Sequence, residues 1–295
     1  MLCNRQRLLL EQKTSYTLKA PTKRLASKRG CCQQQTRTIA NSSSEAASTS
    51  GGNGAAGRCY LVGAGPGPAD YLTMRAVKLI GAADAIVYDD LGCEDALSYA
   101  RPTAALVYVG KRGGKAESLK QPQIDQIIVD LCSQGKQVVR LKGGCPAVFS
   151  RVASEMSALD AAAIPYELVP GVSSALAAPL FAGVPLTHVS LSPSFTVVSG
   201  HDVAGTDWAA FRGLPTLVVL MAGRNLGQIA RRLVQDAGWA PDTPMAVVRS
   251  AGLPEQRTWL TSLGSAEADL VEAGQLSPCI VVVGKVAATG NYART

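Results

Sequence analysis

From residue 59 onward the chain alternates short apolar runs with amphipathic stretches. Cys59-Tyr60-Leu61-Val62 reads as a short buried strand. Leu72, Ala76, Leu79 and Ile80 then fall on one helical face, with Thr73 near the start. Ala85-Ile86-Val87-Tyr88 and Leu106-Val107-Tyr108-Val109 predict a second and a third strand. An amphipathic helix over 124–132 leads to a fourth, Gln137-Val138-Val139-Arg140-Leu141. A helix over 154–163 leads to a fifth, Tyr166-Glu167-Leu168-Val169, stopped by Pro170-Gly171. Strands that alternate with helices pair in parallel through helical crossovers. A second unit starts near Pro185, with strands predicted at 195–201, 216–221, 245–248 and 279–283, a helix over 226–237, and a further strand at 257–260. Two α/β lobes, 58–185 and 186–289, with a cleft between them and a tail at 290–295, are the economical architecture.

In such sheets ligands collect outside the carboxyl ends of the strands. The loops there are Gly/Pro-rich, charged or both: Gly63-Ala64-Gly65-Pro66-Gly67, Asp89-Asp90, Gly110-Lys111-Arg112-Gly113-Gly114, Lys142-Gly143-Gly144-Cys145-Pro146 and Pro170-Gly171. Their clustering marks a ligand site. The first loop begins like a dinucleotide fingerprint, and Asp89 lies where such folds touch a ribose. Pro68 stands in place of the third glycine and Pro66 interrupts the turn, so a nicotinamide enzyme is a distant alternative. Gly143 and Gly144 either let a ligand touch the backbone or form a plain turn. Lys111 is set among glycines and open to a ligand, whereas Arg140 and Lys142 read equally well as a solvated rim. Met221, after an apolar run, reads as core on composition.

Net charge changes the picture only by its position. Of 29 basic and 22 acidic residues, nine and two lie within 1–57, which leaves twenty of each in the remainder. The formal charge of +7 therefore belongs to the N-terminal segment, and a general nucleic-acid surface loses its support. That segment is basic, acid-poor and rich in hydroxyl residues, as organelle transit peptides are, and it is expected to be disordered. Leu8-Leu9-Leu10 is too short for a secretory signal. The eight cysteines show no Cys-x-x-Cys spacing, and His188 and His201 no metal-ligand pattern, so neither a disulfide scaffold nor a metal site is expected. No apolar run approaches a membrane span. Nucleophile-elbow, Walker and His-Glu zinc motifs are absent from the sequence. A transfer reaction that needs positioning, a base and anion-binding cations fits what remains.

The ordered motifs carry a resemblance. They are Leu61-Val62-Gly63-Ala64-Gly65-Pro66-Gly67, Val87-Tyr88-Asp89, Tyr108-Val109-Gly110-Lys111-Arg112, Val138-Val139-Arg140-Leu141-Lys142-Gly143-Gly144, Val169-Pro170-Gly171-Val172-Ser173-Ser174 and Gly183-Val184-Pro185-Leu186-Thr187-His188. Ser199-Gly200-His201, Met221 and the run from Pro278 to Val286 complete the series. Over residues 59–287 the chain resembles the uroporphyrinogen-III C-methyltransferases of the tetrapyrrole methylase superfamily.

The resemblance implies a two-lobed tetrapyrrole methylase fold, with a parallel-sheet N-terminal lobe, a mixed-sheet C-terminal lobe and the active site in the cleft between them. It implies S-adenosyl-L-methionine as methyl donor and uroporphyrinogen III, a tetrapyrrole polycarboxylate, as substrate. The product is precorrin-2, on the route to sirohaem and, in some organisms, cobalamin. A homodimer without nucleic-acid or membrane partners is expected, in the chloroplast of a photosynthetic host or else in the mitochondrion. By the same resemblance Asp89 is the proton acceptor and Lys111 the proton donor, and Pro66, Gly143, Gly144, Cys145, Val148, Ser173, Ser174, Met221 and Gly252 fall at cofactor contacts.

There are departures. The family reads Gly-Gly-Asp-Pro and then Phe-Gly-Arg-Gly-Gly-Glu-Glu. Here Cys145 replaces the Asp, Phe149-Ser150-Arg151-Val152-Ala153-Ser154-Glu155 replaces the glycine-rich stretch, and Thr187-His188-Val189 replaces Thr-His-Arg. A non-catalytic or altered-substrate paralogue that binds a tetrapyrrole or a partner is the alternative.

Overall fold

The computed structural model describes residues 57–90, 94–110 and 119–290. Lys111 lies outside the described residues, as does the segment 1–56 that carries the transit-peptide reading. The described residues belong to one compact unit built around two five-stranded sheets.

The first sheet contains β1 (Arg58–Gly63), β2 (Ala85–Tyr88), β3 (Ala105–Tyr108), β4 (Gln137–Lys142) and β5 (Tyr166–Val169). All pairs are parallel, in the order β3-β2-β4-β1-β5. Helix α1 (Met74–Ala82) covers one face, where Ala76, Leu79 and Ile80 meet Val62, Ile86, Val139 and Leu141. Its first turn is capped by the Thr73 hydroxyl, which accepts from Ala76 N at 3.1 Å. Helices α2 (Gln121–Ser133) and α3 (Val152–Ala161) cover the other face, packing Ile124, Ile128 and Leu159 on Cys59, Leu61, Ala85 and Val87. The central strands β1, β2 and β4 are mostly buried, with helices on both faces, which is why they are rich in apolar residues, whereas the edge strands β3 and β5 keep Leu106, Tyr108 and Leu168 exposed.

The strand order creates a switch point. From β1 the chain leaves through α1 toward β2, past β4. From β4 it leaves through α3, on the opposite face, toward β5. The crevice outside the carboxyl ends of neighbouring β1 and β4 is where such sheets hold ligands.

Helix α4 (Ser174–Phe181) follows β5 and has no counterpart in the sequence expectation. Its Ser-Ala-Leu-Ala-Ala-Pro-Leu-Phe sequence offers almost no polar face, and Pro179 lies inside it. A helix that is apolar all round gives no 3.6-residue signal. It packs Ala175, Ala178 and Ala182 against Val218, Leu220, Val248 and Ile280 of the second sheet.

That sheet contains β6 (Thr196–Ser199), β7 (Thr216–Leu220), β8 (Pro244–Arg249), β9 (Arg257–Ser262) and β10 (Cys279–Gly284), in the order β6-β7-β10-β8-β9. It is mixed: β6 and β7 are parallel and the other pairs antiparallel. Helix α5 (Leu226–Gln235) fills its other face with Ile229, Ala230 and Leu233. The expected combination of a parallel and a mixed sheet is what the chain forms. Among the described residues Cys59, Cys132, Cys145 and Cys279 are free, and no His/Cys/Asp/Glu group has a metal-holding arrangement. No described helix is long and apolar enough to cross a membrane.

Candidate active site

The loops after β1, β4 and β5 interlock through glycine backbone. Gly144 N donates to Gly65 O at 2.7 Å and Gly65 N donates to Gly144 O at 3.2 Å, forming an antiparallel bridge. Ala64 N donates to Lys142 O at 2.7 Å and extends the seam. Gly65 and Gly144 both have left-handed backbone, φ +77° and +67°, which glycine adopts without a Cβ penalty. A Cβ at Gly63 would stand 2.6 Å from both Gly144 O and Gly171 N, and one at Gly171 would strike Gly144 O. The Gly63–Gly67 loop is thus not a free dinucleotide turn. Its glycines let three strand ends close on each other.

The site continues along α4. Ser173 caps this helix, its hydroxyl accepting from Ala175 N at 3.3 Å. A Cβ on Gly144 would meet Ser174 N at 3.8 Å, so the helix start abuts the Gly143-Gly144-Cys145 loop. At the other end the Phe181 ring packs against Tyr71 at a tilt of 52°, ring centroids 5.0 Å apart, and fills the space beside Gly252 (φ +81°). Gly67, next to Pro66, faces Leu253 and Ala251 O of that same loop after β8. Val148 packs with Ala175 and Ala178 against the second sheet. One run of contacts therefore joins the surroundings of Pro66, Gly143, Gly144, Cys145, Val148, Ser173, Ser174 and Gly252.

Met221 and Ser250 follow β7 and β8 at one edge of the second sheet, since both strands run antiparallel to β10. Both are left-handed, φ +58° and +49°, although neither is glycine. Such residues are strained by about 1–3 kcal/mol each and gather at functional sites. Met221 is 45% exposed, which overturns its reading as core.

Below the glycine seam lies a charge network. Arg140 and Lys142 are two apart on β4, so both point to the α3 face. Glu155 comes down from α3 and is 0% exposed. Lys142 Nζ donates to both Glu155 oxygens at 2.7 Å, and Arg140 Nε donates to Oε1 at 3.0 Å. Arg140 Nη2 then donates to Asp89 Oδ2 at 2.7 Å, at the end of β2. Burial works against the Arg140 charge, but Asp89 and Glu155 together hold its pKa above the ordinary value. Burial, and after it the neighbouring Arg140, push the Lys142 ammonium below the usual lysine range against the pull of Glu155.

This corrects the solvated-rim reading of Arg140 and Lys142, which are buried. Glu155, unmarked in the sequence reading as a functional residue, shares the buried face of α3 with Leu159 at i+4. An acid on an apolar helix face, opposite two cations of one strand face, is the signal that marks it.

The departures in the loop before α3 bring no left-handed strain at the replaced glycines. Phe149 and Arg151 carry the left-handed conformations in the loop before α3, φ +46° and +59°. Ser150, Val152 and Ala153, which replace glycines, are not left-handed. Their Cβ atoms therefore bring no backbone strain. Cys145 is half-buried, and its carbonyl accepts from Val148 N at 3.1 Å, a contact that is independent of the side chain.

The tetrapyrrole (corrin/porphyrin) methylase profile matches residues 58–267. A uroporphyrinogen-III C-methyltransferase from Synechococcus elongatus is 42% identical over 236 residues, covering 80% of this chain and 96% of the relative. A protein of the same name from Methanocaldococcus jannaschii is 40% identical over 235 residues, covering 78% and 96%. The crystal structure of uroporphyrin-III C-methyl transferase from Thermus thermophilus complexed with S-adenyl homocysteine superposes with a TM-score of 0.69 at 36% identity, covering 79% of this chain and 99% of that one. With the interlocked strand-end loops in place and the matches running through both sheets, the chain belongs to the tetrapyrrole methylases.

Proposed function

We propose that the protein methylates ring carbons of uroporphyrinogen III with S-adenosyl-L-methionine as donor, forming precorrin-2 for sirohaem synthesis. The observation that carries this reading is the cradle where the Gly65–Gly144 bridge meets the start of α4, with the Asp89 carboxylate held at a strand end of the same sheet. Closely approaching glycine backbone and the hydroxyls of Ser173 and Ser174 suit a nucleoside joined to an amino acid. The holding residues are Pro66, Gly143, Gly144, Cys145, Val148, Ser173, Ser174, Met221 and Gly252. When bound, S-adenosyl-L-methionine supplies an electrophilic methyl group on a sulfonium.

Methylating a ring carbon leaves a proton to be removed from the macrocycle. Asp89 is the acceptor in this reading: its side chain is 24% exposed, and its Oδ2 is held by Arg140. Lys111 is the proton donor. Incubating the purified protein with uroporphyrinogen III and methyl-labelled donor tests the assignment. Label in the tetrapyrrole is expected; a folded protein that leaves the tetrapyrrole unlabelled overturns it, and donor binding without transfer favours the altered-substrate paralogue.

The missing carboxylate at Cys145 gives a second check. Because backbone, not side chain, makes the contact of that residue with Val148, Cys145→Asp keeps or tightens donor affinity in calorimetry. A loss of more than about tenfold, about 1.4 kcal/mol, would show a loop rebuilt for another ligand.

The homodimer is supported by Leu176 and Leu180, one turn apart on α4 and uncovered, Leu180 being 71% exposed. Leu180→Asp is expected to shift the protein from dimer to monomer in sedimentation equilibrium; an unchanged mass places any interface elsewhere. The basic, acid-poor composition of residues 1–57 supports import into the chloroplast. That segment fused to a fluorescent protein is expected in isolated chloroplasts, and uptake by mitochondria alone would reassign the organelle.

A further inference from the structure

We propose that Glu155 is a positioning residue for the reaction, acting through Arg140 to aim the Asp89 carboxylate. The inference rests on the reading of Asp89 as proton acceptor. Every nitrogen of the Arg140 guanidinium is committed. Nε donates to Glu155 Oε1 at 3.0 Å, Nη1 to Leu141 O at 2.7 Å, and Nη2 to Asp89 Oδ2 at 2.7 Å. A guanidinium is planar and rigid, so fixing Nε and Nη1 fixes the direction of Nη2. Glu155 is itself clamped, because Lys142 Nζ sits 2.7 Å from each of its oxygens. The four side chains Lys142, Glu155, Arg140 and Asp89 thus form one chain of two cations alternating with two anions, ending at the partly exposed Asp89 carboxylate.

Stability alone gives little reason for this arrangement. Buried ion pairs are often matched or bettered by apolar residues of similar volume. What the quartet supplies is a fixed bearing for one carboxylate oxygen. Lys142 adds a second link, since its carbonyl receives Ala64 N from the donor-binding loop. The α3 helix, through one side chain, holds the base and the cradle to the same strand.

The test compares Glu155→Gln, Asp89→Asn and the double variant in the full chain. Glu155→Gln is expected to lower kcat about tenfold to a hundredfold, with donor affinity in calorimetry and KM for uroporphyrinogen III within about twofold. In the Asp89→Asn background it is expected to add little, the double variant turning over within about threefold of the single one. Additive losses, or an unaltered kcat in Glu155→Gln, overturn the proposal. If Asp89→Asn keeps wild-type turnover, the proton-acceptor reading falls and this inference with it. If Asp89→Asn is crippled while Glu155→Gln is fully active, this inference alone falls. Glu155→Gln leaves two buried cations sharing fewer anions and can fail to fold. Lys142→Met combined with Glu155→Gln removes one charge of each sign and keeps the remaining pair neutral. That protein is expected to fold with near-normal thermal stability and to show the same loss of kcat; full activity overturns the proposal.

Discussion

Asp89→Asn lowers turnover about a thousandfold while the protein stays folded and still binds the methyl donor. Asparagine has the shape of aspartate and its carbonyl oxygen can still accept from Arg140 Nη2, so the local geometry survives. What is lost is a group that takes a proton. A positioned general base contributes about a hundredfold to ten-thousandfold. The substitution also leaves Arg140 and Lys142 facing Glu155 as their one remaining anion in the network. Breaking a fully buried pair costs about 3–5 kcal/mol. Asp89 keeps a quarter of its side chain in solvent, so screening brings the expected cost well below that range. Single-turnover transfer of labelled methyl, alongside a thermal melt and donor calorimetry, separates these effects. Turnover within about threefold of wild type in a folded protein would remove Asp89 from the chemistry.

Gly171→Ala is expected to destabilise the protein by about 3 kcal/mol or to prevent folding, and to abolish donor binding. The cause is purely steric, since Gly171 is not among the left-handed residues. The new Cβ would strike Gly144 O and stand 2.8 Å from Gly63 Cα and its carbonyl carbon. All these neighbours are backbone, so no rotamer change relieves the clash. The three strand ends must part, and the Gly65–Gly144 bridge parts with them. Gly213→Ala is the control. Gly213 has φ +72° with nothing within 4 Å of the added atom, so the change reads only the left-handed penalty, about 1–2 kcal/mol. Equal stability losses in denaturant melts of the two variants would show that the glycine seam is not tightly closed.

Strand by strand, the first sheet was legible from short apolar runs bounded by Gly, Pro and charged residues, and the central β1, β2 and β4 are mostly buried. Ala85–Tyr88 and Tyr166–Val169 coincide with their apolar runs, and most other elements differ from expectation by one or a few residues at their ends. The one-turn helix Ala266–Asp269 and α4 were not anticipated; in α4, Pro179 and a nearly unbroken apolar surface hide a helix that lies along the candidate site. The glycine loops were equally legible, since a parallel strand followed by Gly and Pro has few structural uses other than a close turn at the ligand edge.

The sequence by itself determined the alternation of strands and helices, the sheet edge that carries the candidate site, and the family whose motifs line that edge. The first two rest on local period and local backbone freedom, which neighbouring residues set among themselves; the family rests on the resemblance of the ordered motifs. Only the tertiary structure decided what the glycines and the charges do. Gly63, Gly144 and Gly171 are far apart in sequence, and their need for a bare Cα arises where three loops touch. Arg140 and Lys142 became buried partners of Glu155, not a solvated rim, because α3 lays a carboxylate across β4. Whether a charge is hydrated or paired depends on what the fold places over it, and no local pattern carries that information.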